Sequence, residues 1–194
     1  MKKELFFSVD IESNGPTPGL NSMLSFGAVA IEASGKVHGE FIANLLPLPG
    51  TEPDPAVTEW WRQQSTEALA ALTSPEPESA PIVMSRFIKW VKDLIADQFK
   101  PVFAAWPAVY DLPFVAYYAM TQAGFQPVRH TYCLKSAAAT LFGFSLIERG
   151  AKKYLPKHWS GGVSHNHTAL GDAREQAQIL VHLLETAKRL RERI

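Results

Sequence analysis

Two carboxylates at the end of a short apolar run are the first residues whose type and spacing suit metal chemistry. Asp10 and Glu12 follow residues 5–9, a run rich in Phe and Val that ends before a Ser-Asn-Gly-Pro turn, as in a buried strand. Side chains two positions apart on a strand share a face, with backbones about 6–7 Å apart. Buried carboxylates repel each other and need a cationic partner, which a divalent metal supplies. A surface strand end neutralised by Lys or Arg has the same pattern, so Asp10 and Glu12 alone do not establish a metal site.

Two further acids lie where strands are predicted to end or helices to begin. Asp111 follows a predicted strand at residues 102–105, and Asp172 opens the last predicted helix. His167 precedes Asp172 by five residues. Taken singly, each acid has a simple structural explanation, because acidic side chains cap helices or balance the dipole of a first turn.

The ordered set of D-x-E, a later D, and H-x4-D resembles the DnaQ-like (DEDDh) 3′-to-5′ exonucleases, which have a ribonuclease H-like fold. The stretches that carry the resemblance are residues 7–15, 110–114 and 167–173, and residues 23–29 resemble the second strand of the family. The Trp60-Trp61 pair and the Ser-Asn-Gly-Pro turn are closer to small stand-alone bacterial or phage enzymes than to a proofreading subunit.

The resemblance implies an α/β domain over residues 1–194, with a ribonuclease H-like mixed sheet, helices on both faces and the four acids at its centre. It further implies two Mg²⁺ or Mn²⁺ ions about 3.5–4 Å apart. Asp10 would bridge both ions, Glu12 and Asp172 would hold mainly the ion that carries the water, and Asp111 would support the other.

His167 would be the general base by the same resemblance, a task that suits an imidazole titrating near neutral pH. The reaction would release nucleoside 5′-monophosphates from the 3′ ends of single-stranded or short RNA or DNA. His165 competes for the role, and the five-residue spacing to Asp172 favours His167.

The pocket for the terminal nucleotide is predicted by analogy with the family to involve Ser13, Asn14 and Leu24. Many family members carry a His-Asn pair four to five residues before the second-motif aspartate, where this chain has Trp106-Pro107. Trp106 either stacks on a base, worth about 1–3 kcal/mol, or packs at the end of a core strand. One tryptophan of the pair Trp60-Trp61 is expected in the core.

The elements that must position these residues follow from hydrophobic periodicity. Strands are predicted at residues 23–31 and 37–46, joined by a hairpin at Ser34-Gly35. Helices are predicted at residues 57–72, 81–96, 112–123, 135–141 and 170–191, and residues 143–168 are predicted to form a long surface loop.

The overall charge of the chain bears on how it would bind nucleic acid. The formal net charge is zero, so tight non-specific binding to long nucleic acid is not expected. Lys152, Lys153, Lys157 and His158 either contact phosphates or form a solvated surface.

The single Cys133 and the lack of a long apolar run predict a cytoplasmic protein without a membrane segment. A homodimer is among the open options.

Two other functions compete with an exonuclease. One is a non-catalytic nucleic-acid-binding module that keeps the fold, which loss of an acid or of the histidine would favour. The other is a metal-dependent phosphodiesterase that acts on a small nucleotide. Nothing in the sequence separates RNA from DNA, because recognition of the 2′-hydroxyl depends on pocket geometry.

Overall fold

A five-stranded mixed sheet organises the protein, of which a computed structural model describes residues 2–162 and 166–193. The strands are β1 (Lys3–Ser13), β2 (Met23–Ile31), β3 (Val37–Asn44), β4 (Phe99–Ala105) and β5 (Thr131–Cys133). Their order is β3-β2-β1-β4-β5. The first three strands form an antiparallel meander, while β4 and β5 run parallel to β1.

The described residues form six α-helices, and helices pack on both faces of this sheet. They are α1 (Pro55–Arg62), α2 (Thr66–Ala71), α3 (Ala80–Ile95), α4 (Ala108–Ala123), α5 (Leu134–Phe142) and α6 (Ala169–Arg191). Alternate residues of β1 separate the two cores, because successive side chains on a strand point to opposite faces. Phe7 packs with Phe87 of α3 and Phe114 of α4, whereas Phe6 lies with Leu180 of α6. The predicted mixed sheet with helices on both faces is confirmed.

The central strand carries the predicted acids towards α6. Asp10 and Glu12 share the face of Phe6 and Ser8, and the Ser8 hydroxyl donates to the carbonyl of Ala173 in α6 at 3.0 Å. Close packing of α6 on β2 requires Gly27, since a Cβ there would lie 2.3 Å from the backbone of Ala169. The first turn of α6 is thereby held over the end of β1.

Two predictions of local structure are wrong, and one strand was missed. The helix predicted at residues 57–72 is two helices, because the Ser65 side chain accepts from the backbone N–H of Ala68 and starts α2 as a separate helix. The short strand β5 was not predicted. The predicted loop at residues 143–168 contains two 3₁₀ helices, Ala151–Tyr154 and Lys157–Ser160, which are anchored by the buried side chains of Leu155 and Trp159.

The hairpin at Ser34-Gly35 is confirmed, with Gly35 at φ 86° and its N–H bonded to Glu32. Among the residues that the structure describes, no helix is both long enough and apolar enough to cross a bilayer.

Candidate active site

Four buried carboxylates converge at the carboxyl end of β1. Asp10 and Glu12 come from β1, Asp111 from the first turn of α4, and Asp172 from the first turn of α6. Each is at most 8% exposed. The three elements meet here because β1 is the central strand, with α4 packed against one face and α6 against the other.

Hydrogen bonds orient three of these carboxylates. Oδ1 of Asp10 accepts from the side-chain amide of Gln176 at 2.7 Å. Oδ1 of Asp111 accepts from the backbone N–H of Ile11 at 3.1 Å, which joins the start of α4 to β1. This contact is available because α4 begins at Ala108, four residues earlier than predicted, so that Asp111 lies within the first helical turn.

Asp172 and His167 lie close to each other and to Glu12. Oδ1 of Asp172 accepts from the backbone N–H of Asn166 at 3.1 Å. One ring nitrogen of His167 and one carboxylate oxygen from each of Glu12 and Asp172 all lie within 4.8 Å of one another. His167 has φ 55°, a left-handed conformation that costs a non-glycine residue about 1–3 kcal/mol and persists only where the surroundings fix it.

Burial and repulsion from neighbouring carboxylates raise the pKa of Asp10, Glu12 and Asp111 in the protein alone. Desolvation raises the pKa of Asp10 and of Glu12 well above the ordinary range, and the neighbouring carboxylates raise both pKa values further. Burial also raises the pKa of Asp111 to about 7, against the lowering effect of its hydrogen bond from Ile11. Lys152 partly offsets the repulsion, since its charge lowers the pKa of both Asp10 and Asp111.

The chemistry of this donor set fits a divalent cation. Carboxylate oxygens, with one imidazole beside them, are ligands that hard divalent metals accept. Carboxylates removed from water need cations to remain charged, and Lys152 is shared with Glu175, to which it is ion-paired. The cluster is therefore a candidate divalent-metal site.

A cavity of about 270 Å³ opens directly onto the acids. Aromatic side chains form much of its wall, and the exposed ring of Trp60 lies edge-on to the ring of His167, with centroids 4.9 Å apart. Besides the acids and His167, the lining residues are Ile11, Ser13, Val57, Trp60, Trp106 and Tyr110. The combination of a charged floor and aromatic walls suits a nucleotide, which has a phosphate at one end and a flat base at the other.

Two of the four predicted substrate-contact residues line the cavity and two do not. Ser13 and Trp106 line the cavity, and Trp106 also packs partly against the core beneath α6. Asn14 and Leu24 are not among the lining residues. The buried side chain of Asn14 instead accepts from the backbone N–H of Ser22 at 2.6 Å, which closes the loop after β1.

The two adjacent tryptophans have different environments. Trp61 is 8% exposed and its indole N–H donates to the carbonyl of Ser13 at 2.9 Å. Trp60 is 38% exposed and faces the cavity. The expectation of one core tryptophan is met by Trp61.

Three of the four basic loop residues contact other side chains of the protein. Lys152 pairs with Glu175, Lys153 pairs with Glu148 at 2.8 Å, and the ring of His158 contacts that of His182. Phosphate contact by these residues stays a prediction. His165, the competing base, lies outside the described residues.

Several residues of the site had no predicted role. Tyr110 lines the cavity and its hydroxyl is 2.8 Å from that of Ser13. Gln176 bonds to Asp10 from one helical turn beyond Asp172, and this i, i+4 spacing on a predicted helix was an available signal. Glu67 and Asn166, which are bonded to each other across 99 residues, offered no local signal.

The class of the protein follows from the order of the strands, the helices on both faces of the sheet and the converging acids. The protein has the ribonuclease H-like fold of the DEDDh 3′-5′ exonucleases. The chain belongs to the 3′-5′ exoribonuclease Rv2179c-like domain family, whose model matches residues 6–184. It is a 3′-5′ exonuclease.

A characterised relative and several solved structures agree with this assignment. The chain is 31% identical over 198 residues to the 3′-5′ DNA exonuclease Cap18 of Escherichia coli, covering 97% of each protein. The fold matches the nuclease domain of 3′hExo, a DEDDh family member bound to rAMP, with a TM-score of 0.65, 12% identity and coverage of 95% of this chain and 93% of that one. It also matches E. coli exonuclease I in complex with single-stranded DNA, with a TM-score of 0.64 and 16% identity, over 98% of this chain and 42% of that one.

Proposed function

We propose that this chain is a single exonuclease domain that uses Mg²⁺ or Mn²⁺ to remove nucleotides from single-stranded 3′ ends as nucleoside 5′-monophosphates. The observation that carries the proposal is the convergence of four buried carboxylates and His167 at the floor of an aromatic-walled cavity. A scissile phosphate at this floor would place its terminal base against the aromatic walls.

The metal ligands in this proposal are Asp10, Glu12, Asp111 and Asp172. When bound, two divalent ions stabilise the attacking and leaving oxygens of an in-line displacement. The surrounding chain keeps the carboxylates in place, with Gln176 bonded to Asp10 and the backbone N–H of Ile11 bonded to Asp111. An oxygen-rich set of this kind accepts both Mg²⁺ and Mn²⁺.

His167 is the proposed general base, which takes a proton from the water that attacks the phosphorus. Its ring nitrogen lies within 4.8 Å of carboxylate oxygens of Glu12 and Asp172, so an attacking water between them would lie within its reach. The edge of Trp60 contacts the imidazole ring and limits its rotation. A positioned base of this type contributes about 10²–10⁴-fold to a rate.

The aromatic wall is the proposed site for the terminal base. Trp60, Trp106 and Tyr110 line the cavity, and stacking on such rings tolerates any base at about 1–3 kcal/mol each. The Ser13 hydroxyl, which lies 2.8 Å from that of Tyr110, is the proposed contact for the sugar or the phosphate. A chain with no net charge would thus hold one strand end instead of a long duplex.

Both RNA and DNA are candidate substrates, because the relatives differ. The family model is described as an exoribonuclease, whereas the E. coli relative is a DNA exonuclease. The deciding experiment incubates purified protein with 5′-labelled single-stranded RNA or DNA of equal sequence, in Mg²⁺, Mn²⁺ or EDTA. We expect a metal-dependent ladder that shortens from the 3′ end and is absent in Asp10→Ala.

The same assay separates the competing functions. Retention of either polymer in a gel shift without shortening under any metal would favour a non-catalytic binding module. Hydrolysis of dinucleotides alone would favour a phosphodiesterase for small nucleotides. A control substitution of the exposed Lys89, which pairs with Asp93 and does not line the cavity, should leave the ladder intact.

The cellular location and the oligomeric state of the protein can also be tested. A single cysteine, Cys133, fits a reducing compartment such as the cytoplasm, which fractionation of cells carrying the tagged protein would test. Light scattering on the purified protein would distinguish a monomer from a homodimer.

A further inference from the structure

Asn166, the residue before His167, makes hydrogen bonds to α6, to α2 and to the loop residue that follows His167. Its backbone N–H donates to Oδ1 of Asp172 at 3.1 Å, and its side-chain oxygen accepts from the hydroxyl of Thr168 at 2.8 Å. Its side-chain nitrogen donates to Oε1 of Glu67 in α2 at 3.0 Å. One asparagine therefore connects the start of α6, the far side of His167 and the helix α2.

These contacts involve the residues immediately before and after His167 in the sequence. The bond between the side chains of Asn166 and Thr168 spans His167, whose φ of 55° needs support from its neighbours. The carbonyl of Thr168 accepts from the N–H of Asp172 at 2.8 Å. Space for this arrangement depends on Gly171, because a Cβ there would lie 2.4 Å from the Thr168 hydroxyl oxygen and 2.9 Å from Oδ1 of Asn166.

The segment that contains α1 and α2 contacts the histidine loop at two points. Trp60 of α1 lies against the His167 ring, and Glu67 of α2 holds the neighbouring side-chain amide. The first contact limits the side chain of His167 and the second limits its backbone. The wall of the cavity and the loop that carries the histidine are thus joined as one unit.

We propose that Asn166, with its partners Glu67 and Thr168, is a positioning residue that holds His167 in the orientation needed for proton transfer. The proposal rests on the function proposed above, in which His167 is the base. Asn166 does not touch the substrate in this scheme, and it acts only through the histidine beside it.

Asn166→Ala separates positioning from metal binding. It removes the side-chain bonds to Glu67 and Thr168 but keeps the backbone N–H that serves Asp172. We expect kcat to fall by about 10–100-fold, the effect of a small displacement of a catalytic group. KM and the affinity for Mn²⁺ measured by calorimetry should remain near their wild-type values.

A double-mutant cycle with His167→Ala tests whether Asn166 acts through the histidine. His167→Ala alone should lower kcat by about 10²–10⁴-fold, and adding Asn166→Ala should lower it no further. An equal loss in both backgrounds would overturn the proposal. If His167→Ala keeps full activity, it is the assigned base that fails, which is a distinguishable result.

Matched substitutions of the two partners keep the test independent of any one variant's folding. Thr168→Ser retains the hydroxyl and Glu67→Gln retains the acceptor oxygen, so both should keep most of kcat. Thr168→Val and Glu67→Ala remove those groups and should lower kcat without weakening Mn²⁺ binding. Equal activity of Thr168→Val and Thr168→Ser, with normal melting curves, would also contradict the proposal.

Discussion

The side-chain nitrogen of Gln176 donates a 2.7 Å hydrogen bond to Oδ1 of Asp10, within the interface between α6 and β1. Both residues are buried, at 1% and 8% exposure. This bond orients the Asp10 carboxylate, so Gln176 is the outer support of a proposed metal ligand.

Gln176→Leu is expected to weaken metal binding while the fold persists. The substitution keeps the volume but leaves the Asp10 carboxylate without the amide that orients it. Loss of an outer partner of a metal ligand typically costs about 10–100-fold in affinity or activity. Calorimetric titration with Mn²⁺ and kcat on a labelled oligonucleotide would measure the effect.

Gln178→Leu is the matched control, since Gln178 lies two residues further along α6, where it packs beside Gly161 instead of the acids. It should leave the affinity for Mn²⁺ unchanged. Equal losses in both variants would show that Gln176 acts on the helix as a whole and not on Asp10.

The metal-free protein should lose stability as the pH rises through neutrality. The pKa of Asp111 is about 7 in the fold against an ordinary value of 3.8, so the folded state holds its proton more tightly than the unfolded chain does. That contribution to stability is full below pH 4 and is lost as the pH rises through 7. The raised pKa values of Asp10 and Glu12 act in the same direction.

Melting curves in EDTA between pH 5 and pH 8 would measure this loss. Each kcal/mol moves the Tm of a domain of this size by about 2–4 °C, and we expect a fall of at least about 4 °C. Carboxylates with lowered pKa, such as Glu40 beside Arg174, are ionised throughout this range and do not mask it. Saturating Mn²⁺ should abolish most of the fall. A Tm that rises towards pH 8 in EDTA would contradict the prediction.

Asp111→Asn should make the metal-free protein more stable and the enzyme inactive. Asparagine keeps an oxygen that can accept from the N–H of Ile11 but carries no charge to be buried. We expect a higher Tm in EDTA at pH 8, a smaller shift on adding Mn²⁺, and a fall in kcat of about 10²-fold or more, since a direct ligand should matter more than its outer partners. A variant that is less stable in EDTA, or fully active, would argue against Asp111 as a ligand.

Local patterns were enough to predict the element on which Asp10, Glu12 and Asp172 each lie. Asp10 and Glu12 share a face because alternation on a strand requires it, and Asp172 lies in the first turn of a long amphipathic helix. Each of these relationships depends on neighbours within a few residues. Their convergence with Asp111 followed only from the family resemblance, since it depends on the order of strands in the sheet.

What the sequence did not reveal depends on contacts between distant segments. The break between α1 and α2 is an exception, because it depends on a local cap in which the Ser65 side chain accepts from the backbone N–H of Ala68. Strand β5 has three residues and forms only by pairing with β4. The bond from Glu67 to Asn166 joins residues 99 positions apart, and an isolated glutamate or asparagine gives no sign of such a partner.

Substitution of Trp61 should lower the stability of the protein, whereas substitution of the adjacent Trp60 should weaken its binding of substrate. Trp61→Phe removes the indole N–H that bonds to the buried carbonyl of Ser13, which should cost about 1–3 kcal/mol of unfolding free energy. Trp60→Ala removes a cavity wall from an exposed position, so stability should change little. Its KM for a single-stranded oligonucleotide should rise, because a stacked base loses about 1–3 kcal/mol of binding.

Urea unfolding and steady-state kinetics on both variants would separate the two roles. Trp60→Phe is the matched control, since it keeps a ring for stacking and for the edge contact with His167, and it should recover most of the lost affinity. If Trp60→Ala lowers kcat alone, with KM unchanged, the ring acts only through His167 and does not bind the substrate. If it destabilises the fold as much as Trp61→Phe does, Trp60 is a packing residue, and the base must stack elsewhere along the aromatic wall.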